Sequence, residues 1–335
     1  MNHYKLDILR KLSVEYRELN GAHVETVRSP PSAVEFAQMV HVSRPVIIGG
    51  FKTDALALWS DEYLKTRMGD SKISVAVTPN GLADAITLGP DGTQYFVEPY
   101  ETKMTIRELL EDLHTSRSDG RRDVLYLQSQ NGNMFRNTSL TNDMTEDPTE
   151  FGPLRKDISR EISWASEALG KPPDAVNVWI GDGRSVTSIH NDPYENIYTV
   201  IRGTKHFTLF PPTEGWCMKE RSYPHARYTR LTSHSPLELT PTPCGTPLVR
   251  WSSIQDPTDQ AQLPPEASPL QITLHPGDTL YLPAGWWHYV RQSGITIALN
   301  WWYDVEVRGM NWVWLSFLRC SGDDVPEGND EDSSE

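Results

Sequence analysis

The chain has 335 residues and a formal net charge of −14 at pH 7, with 38% hydrophobic and 10% aromatic residues. This length suffices for one large domain or two ordinary ones, and 11 Trp provide material for a sizeable core. The acidity argues against direct binding to nucleic acid, because phosphate contacts need a basic surface. Residues 321–335 contain seven acids and no base, half of the net charge, and are predicted to form a disordered acidic tail.

The three cysteines, Cys217, Cys244 and Cys320, are far apart and form no CxxC pair. So few and so scattered cysteines favour a protein of a reducing compartment that has no disulfide framework. Charges interrupt the apolar residues of the first twenty positions, so no signal peptide is predicted there. No apolar run approaches the about 18 residues that a membrane helix needs. We expect a cytoplasmic protein without a membrane partner, with the nucleus as an alternative location.

Residues 1–120 are predicted to form helices and strands that pack on the core. Apolar residues recur at helical spacing through the first twenty positions, which predicts an amphipathic helix. Thr105, with Glu108 three residues later, has the spacing of a capping box and predicts a helix over 105–114. The other predicted elements are a strand in 44–51, a helix in 59–69 that ends at Gly69, and a strand in 72–81.

Residues 121–308 are rich in short apolar segments separated by Gly, Pro and Asp. Many short strands with turn signals predict a mainly β protein with flanking helices, whose core is a double-stranded β-helix of the jelly-roll or cupin kind. A proline-rich insert, 213–268, shows little periodicity and is interpreted as a loop over one mouth of the barrel. The segment 309–320 is predicted to form an apolar C-terminal helix.

The segment "TSIHNDPYENIY" (187–198) contains the first half of a candidate metal site. Residues i and i+2 of a strand point to the same face, so His190 and Asp192 are expected to lie side by side. The HxD spacing alone is a weak signal, because a lone pair of this kind is more often solvated. A second imidazole from a neighbouring strand would complete the facial triad of non-haem Fe(II) oxygenases.

The segment "HPGDTLYLPAGWWHYV" (275–290) offers that second imidazole. Its turn and apolar strand lead to His288, which comes directly before another strand. His206 and His275 compete as ligands, but His275 lies in a turn and His206 in a strand with another predicted role. The favoured triad is therefore His190, Asp192 and His288.

Three further residues have side chains suited to a dicarboxylate co-substrate. Its far carboxylate needs a cation, and Lys205 in "GTKHFTLF" is able to point inward from its strand. Thr187 and Tyr126 each offer a hydroxyl to the same carboxylate. A single lysine in a strand usually faces solvent, so this assignment depends on the rest of the site.

Several longer motifs occur in the segments 74–85, 123–130, 164–212 and 281–304. These motifs resemble those of jumonji-C oxygenases of the jumonji-domain-containing protein 7 type. The resemblance spans about residues 40–305, outside the proline-rich insert, and it is far more specific than the metal triad alone.

The resemblance implies a double-stranded β-helix that binds Fe(II) and uses 2-oxoglutarate and O₂. It also implies a lysyl hydroxylase whose protein substrate is a developmentally regulated GTP-binding protein. The matching positions for iron are His190, Asp192 and His288, and those for the far carboxylate of 2-oxoglutarate are Lys205, Thr187 and Tyr126. Asn196 and Asn300 match positions near the metal-bound end, although plain strand hydrogen bonding is equally favoured for them. Trp287 and Trp302 are interpreted as pocket residues that exclude water, although aromatics in such segments more often only fill the core.

Two other functions remain open at this stage. The same chemistry would serve an N-methyl-lysine demethylase or a histone-tail-processing jumonji-C protein, although no HExxH protease motif is present. A non-catalytic, cupin-like binding scaffold is the third interpretation, and the complete set of six site residues argues against it.

The C-terminal helix is the predicted assembly surface. Trp312, Leu315 and Leu318 form an apolar stripe with Val313 and Phe317 beside it, able to pack on the barrel or on a second copy. We expect a homodimer through this helix.

Overall fold

The structure is a computed structural model that describes residues 3–115, 123–128, 132–136, 149–232, 235–320 and 328. Apart from Gly328, the predicted acidic tail lies outside the described residues. The α-helices are α1 (His3–Asn20), α2 (Ala33–Val42), α3 (Ala55–Leu58), α4 (Asp61–Met68), α5 (Ile106–His114), α6 (Ser163–Leu169) and α7 (Met310–Cys320). Short 3₁₀ helices occur at Gly152–Asp157, Pro212–Met218 and Gln260–Gln262.

Strands make up most of the rest, and this predominance of β-structure with flanking helices confirms the predicted fold class. The N-terminal strands are β1 (Glu25–Val27), β2 (Val46–Ile48), β3 (Lys72–Thr78), β4 (Leu82–Ala83), β5 (Ala85–Leu88), β6 (Gln94–Glu98) and β7 (Tyr100–Thr105). The later strands are β8 (Val124–Tyr126), β9 (Phe135–Arg136), β10 (Ala175–Gly181), β11 (Val186–Asn191), β12 (Tyr194–Phe210), β13 (Glu220–Tyr223), β14 (His225–Thr229), β15 (Glu238–Pro241), β16 (Val249–Ser252), β17 (Leu270–Leu274), β18 (Thr279–Leu282) and β19 (Trp287–Asp304).

The helix boundaries follow the local capping signals. Thr105 and Glu108 form the predicted capping box of α5, in which each side chain accepts a hydrogen bond from the backbone N–H of the other residue. Ser60 caps the start of α4, and Gly69 follows its last turn with φ +52°, as predicted. None of the described helices is long and apolar enough to cross a membrane.

The central sheet is built around two long antiparallel strands, β12 and β19. They pair along their whole length, from Tyr194 opposite Asp304 to Phe210 opposite Trp287. The other edge of β19 pairs with β10 and β11, and the other edge of β12 pairs with β17 and β18. This pairing places β11 and β19, which carry the predicted metal ligands, next to each other.

Four of the short apolar segments that were predicted as separate strands in 121–308 form only two strands. "NIYTVI" and "KHFTLF" both belong to β12, and "HYVRQSG" and "ITIALNWWY" both belong to β19. The glycine between the first two segments, Gly203, has φ +72° and lies at a bulge, so it bends the strand without ending it. A Cβ there would lie 2.5 Å from the carbonyl oxygen of Ile295 on β19, so glycine permits the close approach of the two strands.

The proline-rich insert is not the structureless loop that its composition suggested. β13 pairs with β16, β14 pairs with β15, and β14 also adds in parallel to β6 of the N-terminal region. Its low periodicity arises because these strands are only four or five residues long, too short to show a repeat. The N-terminal region and the core also share a sheet, since β8 pairs with β3; the division at residue 120 stays a prediction.

Candidate metal centre

Two neighbouring strands bring the three predicted ligands together. His190 lies near the end of β11, Asp192 directly follows that strand, and His288 lies directly opposite His190 on β19. Asp192 Oδ2 is 3.7 Å from His190 Nε2 and 3.6 Å from His288 Nε2. Among the described residues, these three are the group of His, Cys, Asp and Glu side chains arranged to share one ion.

Backbone carbonyls fix the orientation of both imidazoles. His190 Nδ1 lies 2.8 Å from the carbonyl oxygen of Ser188, and His288 Nδ1 lies 3.1 Å from that of Trp286. A carbonyl only accepts hydrogen bonds, so each Nδ1 carries the proton and each Nε2 presents a lone pair toward Asp192. This is the tautomer that a metal ligand requires.

The protonation of His288 also suits metal binding. Burial lowers the pKa of His288 to about 4, with the neighbouring His190 contributing in the same direction. A neutral imidazole is the form that coordinates a metal, so at neutral pH His288 needs no deprotonation.

The two competing histidines lie elsewhere. His206 is hydrogen-bonded through both ring nitrogens, to Thr273 Oγ1 at 3.1 Å and to Ser293 Oγ at 2.8 Å. His275 is exposed in the turn before β18. Neither is part of the triad.

Lys205 contacts Tyr126, which lines the pocket that contains the triad, and is almost completely buried, with 1% of its surface exposed. Its Nζ donates to Tyr126 Oη at 3.3 Å and to Gln292 Oε1, and it lies 5.2 Å from the centre of the Tyr126 ring. Burial lowers the pKa of Lys205 to about 7. Thr187 and Tyr126 both line the pocket that contains the triad.

A polar network crosses the pocket near the metal triad. Trp179 Nε1 donates to Asn300 Oδ1 at 2.7 Å, and Asn300 Nδ2 donates to Asn196 Oδ1 at 3.2 Å. Trp302 also lines the pocket, and its buried Nε1 has no hydrogen-bond partner among the described residues. An unpaired buried N–H is a donor available to a ligand oxygen.

Trp287 is placed differently from the prediction. Neighbouring residues of a strand point to opposite faces, so Trp287 faces away from the pocket into which His288 points. It packs instead in a cluster with Ile189, Phe210 and Met218. Of the two predicted pocket tryptophans, the structure brings only Trp302 to the pocket.

Three residues that contact the candidate site residues were not predicted from the sequence: Gln292, Trp179 and Trp251. The alternation of side chains along β19 could have predicted Gln292. It lies two residues after Val290 and four after His288, so all three side chains point to the same face. Gly181 leaves room for it: a Cβ there would lie 2.6 Å from Tyr126 and 2.7 Å from Gln292. Trp251 comes from the insert, where the sequence offered no usable pattern.

The chain matches the family model for the cupin-like domain over residues 31–308. It is 37% identical to the human "Bifunctional peptidase and (3S)-lysyl hydroxylase JMJD7", over 89% of this chain and 90% of that protein. It is 36% identical to "Lysine-specific demethylase JMJ32" of Arabidopsis thaliana, over 91% of this chain and 88% of that protein. It is also 31% identical to "JmjC domain-containing protein E" of Dictyostelium discoideum, over 93% of each chain.

The family match covers most of the chain, and the relatives align over nearly their full lengths. Together with the His-Asp-His group, they confirm the resemblance found in the sequence. The chain therefore belongs to the cupin-like family and is a jumonji-C oxygenase, a 2-oxoglutarate-dependent dioxygenase similar to the human protein.

Proposed function

We propose that this enzyme binds Fe(II) through His190, Asp192 and His288 and hydroxylates a lysine side chain of a protein substrate. The observation that carries the proposal is a His-Asp-His group able to share one ion, in a pocket whose lining residue Tyr126 contacts the buried Lys205. When bound, the iron would supply activation of O₂ coupled to decarboxylation of 2-oxoglutarate.

The triad fits an iron ion by donor type and by distance. Two imidazoles and one carboxylate are the donors of non-haem Fe(II) oxygenases, and they leave coordination positions open. Ligand atoms that each lie about 2.0–2.2 Å from one ion are at most about 4.4 Å apart. The 3.6 Å and 3.7 Å separations from Asp192 Oδ2 are compatible with this limit.

The opposite end fits the far carboxylate of 2-oxoglutarate. Lys205 has a buried ammonium group whose described partners are neutral, the Tyr126 hydroxyl and the Gln292 amide oxygen. A buried cation without a counter-ion is costly, and a bound carboxylate would relieve that cost. Thr187 and Tyr126 are able to donate their hydroxyl hydrogens to the same carboxylate, while the N–H of Trp302 remains available nearer the metal.

The substrate assignment draws on the relatives. The human protein is named a lysyl hydroxylase and the Arabidopsis protein a lysine-specific demethylase, so both printed names specify lysine. We assign hydroxylation to this chain because its resemblance includes the motifs around both halves of the site. A developmentally regulated GTP-binding protein is the expected substrate, on the strength of that resemblance alone.

The test is succinate release from 2-oxoglutarate in the presence of Fe(II), with and without a lysine peptide from such a GTPase. We expect peptide-dependent succinate and a lysine product heavier by one oxygen atom. Formaldehyde release from an N-methyl-lysine peptide would support the demethylase function instead. Binding of metal and 2-oxoglutarate without turnover of either peptide would contradict both and favour the scaffold.

We also propose that the enzyme is a homodimer through α7. The predicted stripe packs partly inward, since Leu315 contacts Gly285 and Trp312 and Leu318 are half-buried. The opposite face exposes Trp314 and Phe317, at 58% and 55%. Light scattering is expected to give twice 38.0 kDa, and substitution of Trp314 and Phe317 by Ser is expected to give a monomer. A wild-type monomer would contradict the proposal.

A further inference from the structure

Trp251 of the insert contacts the metal centre from outside the pocket. Its ring centre lies 5.8 Å from that of His190, and the two ring planes are only 10° apart. Its Nε1 donates to Ser188 Oγ at 3.2 Å, and the carbonyl oxygen of the same Ser188 accepts from His190 Nδ1 at 2.8 Å. The indole therefore touches both the imidazole and the residue that sets its tautomer.

The surrounding strands fix the position of Trp251 itself. It lies on β16, opposite Arg221 of β13, and the Phe96 ring is 4.8 Å away at 57°. Ser188, a residue of β11, also donates through its Oγ to the carbonyl oxygen of Asp84 at 2.7 Å, which connects β11 to the N-terminal region. Three separate segments thus meet at the outer face of His190.

We infer that Trp251 is a positioning residue for His190, and that the insert thereby completes the metal centre. One hydrogen bond at Nδ1 leaves an imidazole able to swing about its side-chain torsions. A parallel indole packed against the ring restricts that motion and keeps Nε2 directed at Asp192. Groups that orient metal ligands typically change metal affinity by about 10–100-fold. The inference rests on the metal binding proposed above.

The competing explanation is that Trp251 only fills an apolar cluster with Ile86, Phe96 and Tyr223. In that case its replacement would lower thermal stability and leave metal affinity unchanged. Trp216 provides a matched control. It belongs to the same insert, its Nε1 donates to the hydroxyl of Ser13 at 3.0 Å, and none of the hydrogen bonds or ring contacts of the described residues joins it to the triad.

The experiment measures Mn(II) binding to the full-length protein by calorimetry, with thermal unfolding of each variant in the absence of metal. We expect Trp251→Leu to weaken Mn(II) binding about 10–100-fold. Trp251→Phe, which keeps an aromatic face but loses the N–H, is expected to fall between this variant and the wild type. Trp216→Phe and Trp216→Leu are expected to lose thermal stability and to bind Mn(II) like the wild type.

A second readout reports the geometry of the site directly. The absorption spectrum of Co(II) bound at saturation is expected to change in Trp251→Leu and to stay unchanged in Trp216→Leu. Wild-type Mn(II) affinity in folded Trp251→Leu and Trp251→Phe would overturn the inference. Absence of Mn(II) binding by the wild type would instead overturn the metal site of the proposed function, so the two failures are distinguishable.

Discussion

The metal triad and the surroundings of Lys205, the two ends of the proposed ligand site, differ in both charge and hydration. His190 and Asp192 keep 17% and 21% of their side-chain surface exposed, and both imidazoles are oriented by backbone carbonyls. Lys205 is 1% exposed and is surrounded by neutral groups. The metal end therefore directs imidazole lone pairs toward a site for a cation. The Lys205 end instead offers an amino group to an anion. A dicarboxylate chelating a metal needs this combination of ends.

The largest effect is expected from removing one ligand at the metal end. His190→Ala should abolish Mn(II) binding and lower turnover roughly a thousandfold or more, because metal catalysis contributes several kcal/mol. His206→Ala is the matched control, since His206 makes its hydrogen bonds outside the triad. Calorimetry and succinate release measure the two effects. A folded His190→Ala protein with wild-type turnover would contradict the assignment of His190 as a ligand of the catalytic metal.

At the other end, Lys205→Met should weaken 2-oxoglutarate binding and leave Mn(II) binding intact. Truncating one partner of a buried charged pair costs about 2–5 kcal/mol, which corresponds to roughly 30- to 4,000-fold in affinity. Lys103→Met is the control, because Lys103 is 62% exposed and paired with Glu150. Equal loss of Mn(II) and 2-oxoglutarate affinity would show that the two ends do not act separately.

The same lysine predicts how stability changes with pH when no ligand is bound. Because burial lowers the folded pKa of Lys205 from 10.5 to about 7, the folded state binds fewer protons than the unfolded state between these values. The free energy of unfolding should therefore rise from about pH 7 toward pH 10.5, with the destabilisation fully present below pH 7. Urea unfolding across this range measures it, and Lys205→Met, which lacks the titrating group, should show a smaller rise. Parallel curves for the two proteins would contradict the prediction.

The smallest effect separates two adjacent tryptophans on opposite faces of β19. Trp302→Phe removes an unpaired N–H in the pocket and should weaken binding of 2-oxoglutarate or peptide about 5- to 10-fold, near 1 kcal/mol, without loss of stability. Trp301→Phe removes the N–H that donates to the Ser159 carbonyl oxygen at 3.1 Å. It should cost about 1 kcal/mol of stability without changing affinity. Calorimetry and chemical unfolding distinguish the pair, and identical behaviour of the two variants would count against a ligand at Trp302.

Local signals predicted the elements that depend on few residues. The capping box of α5 and the glycine after α4 work through hydrogen bonds and backbone conformation within one turn. The alternation of β11 likewise predicted that His190 and Asp192 would face the same pocket. Gly203 gave a misleading signal, because glycine permits a bulge as readily as a turn, and only the pairing with β19 distinguishes them.

The sequence by itself determined the β class of the fold, and it predicted the candidate metal ligands and the lysine and hydroxyl residues. These features depend on residue type and on the two-residue repeat of a strand, both of which are readable along the chain. Only the tertiary structure decided that Gln292 contacts Lys205, that Trp287 faces away from the pocket, and that Trp251 stacks on His190. The last contact joins residues 61 positions apart through strands too short to show a pattern, so it exists only because the insert pairs with the rest of the fold.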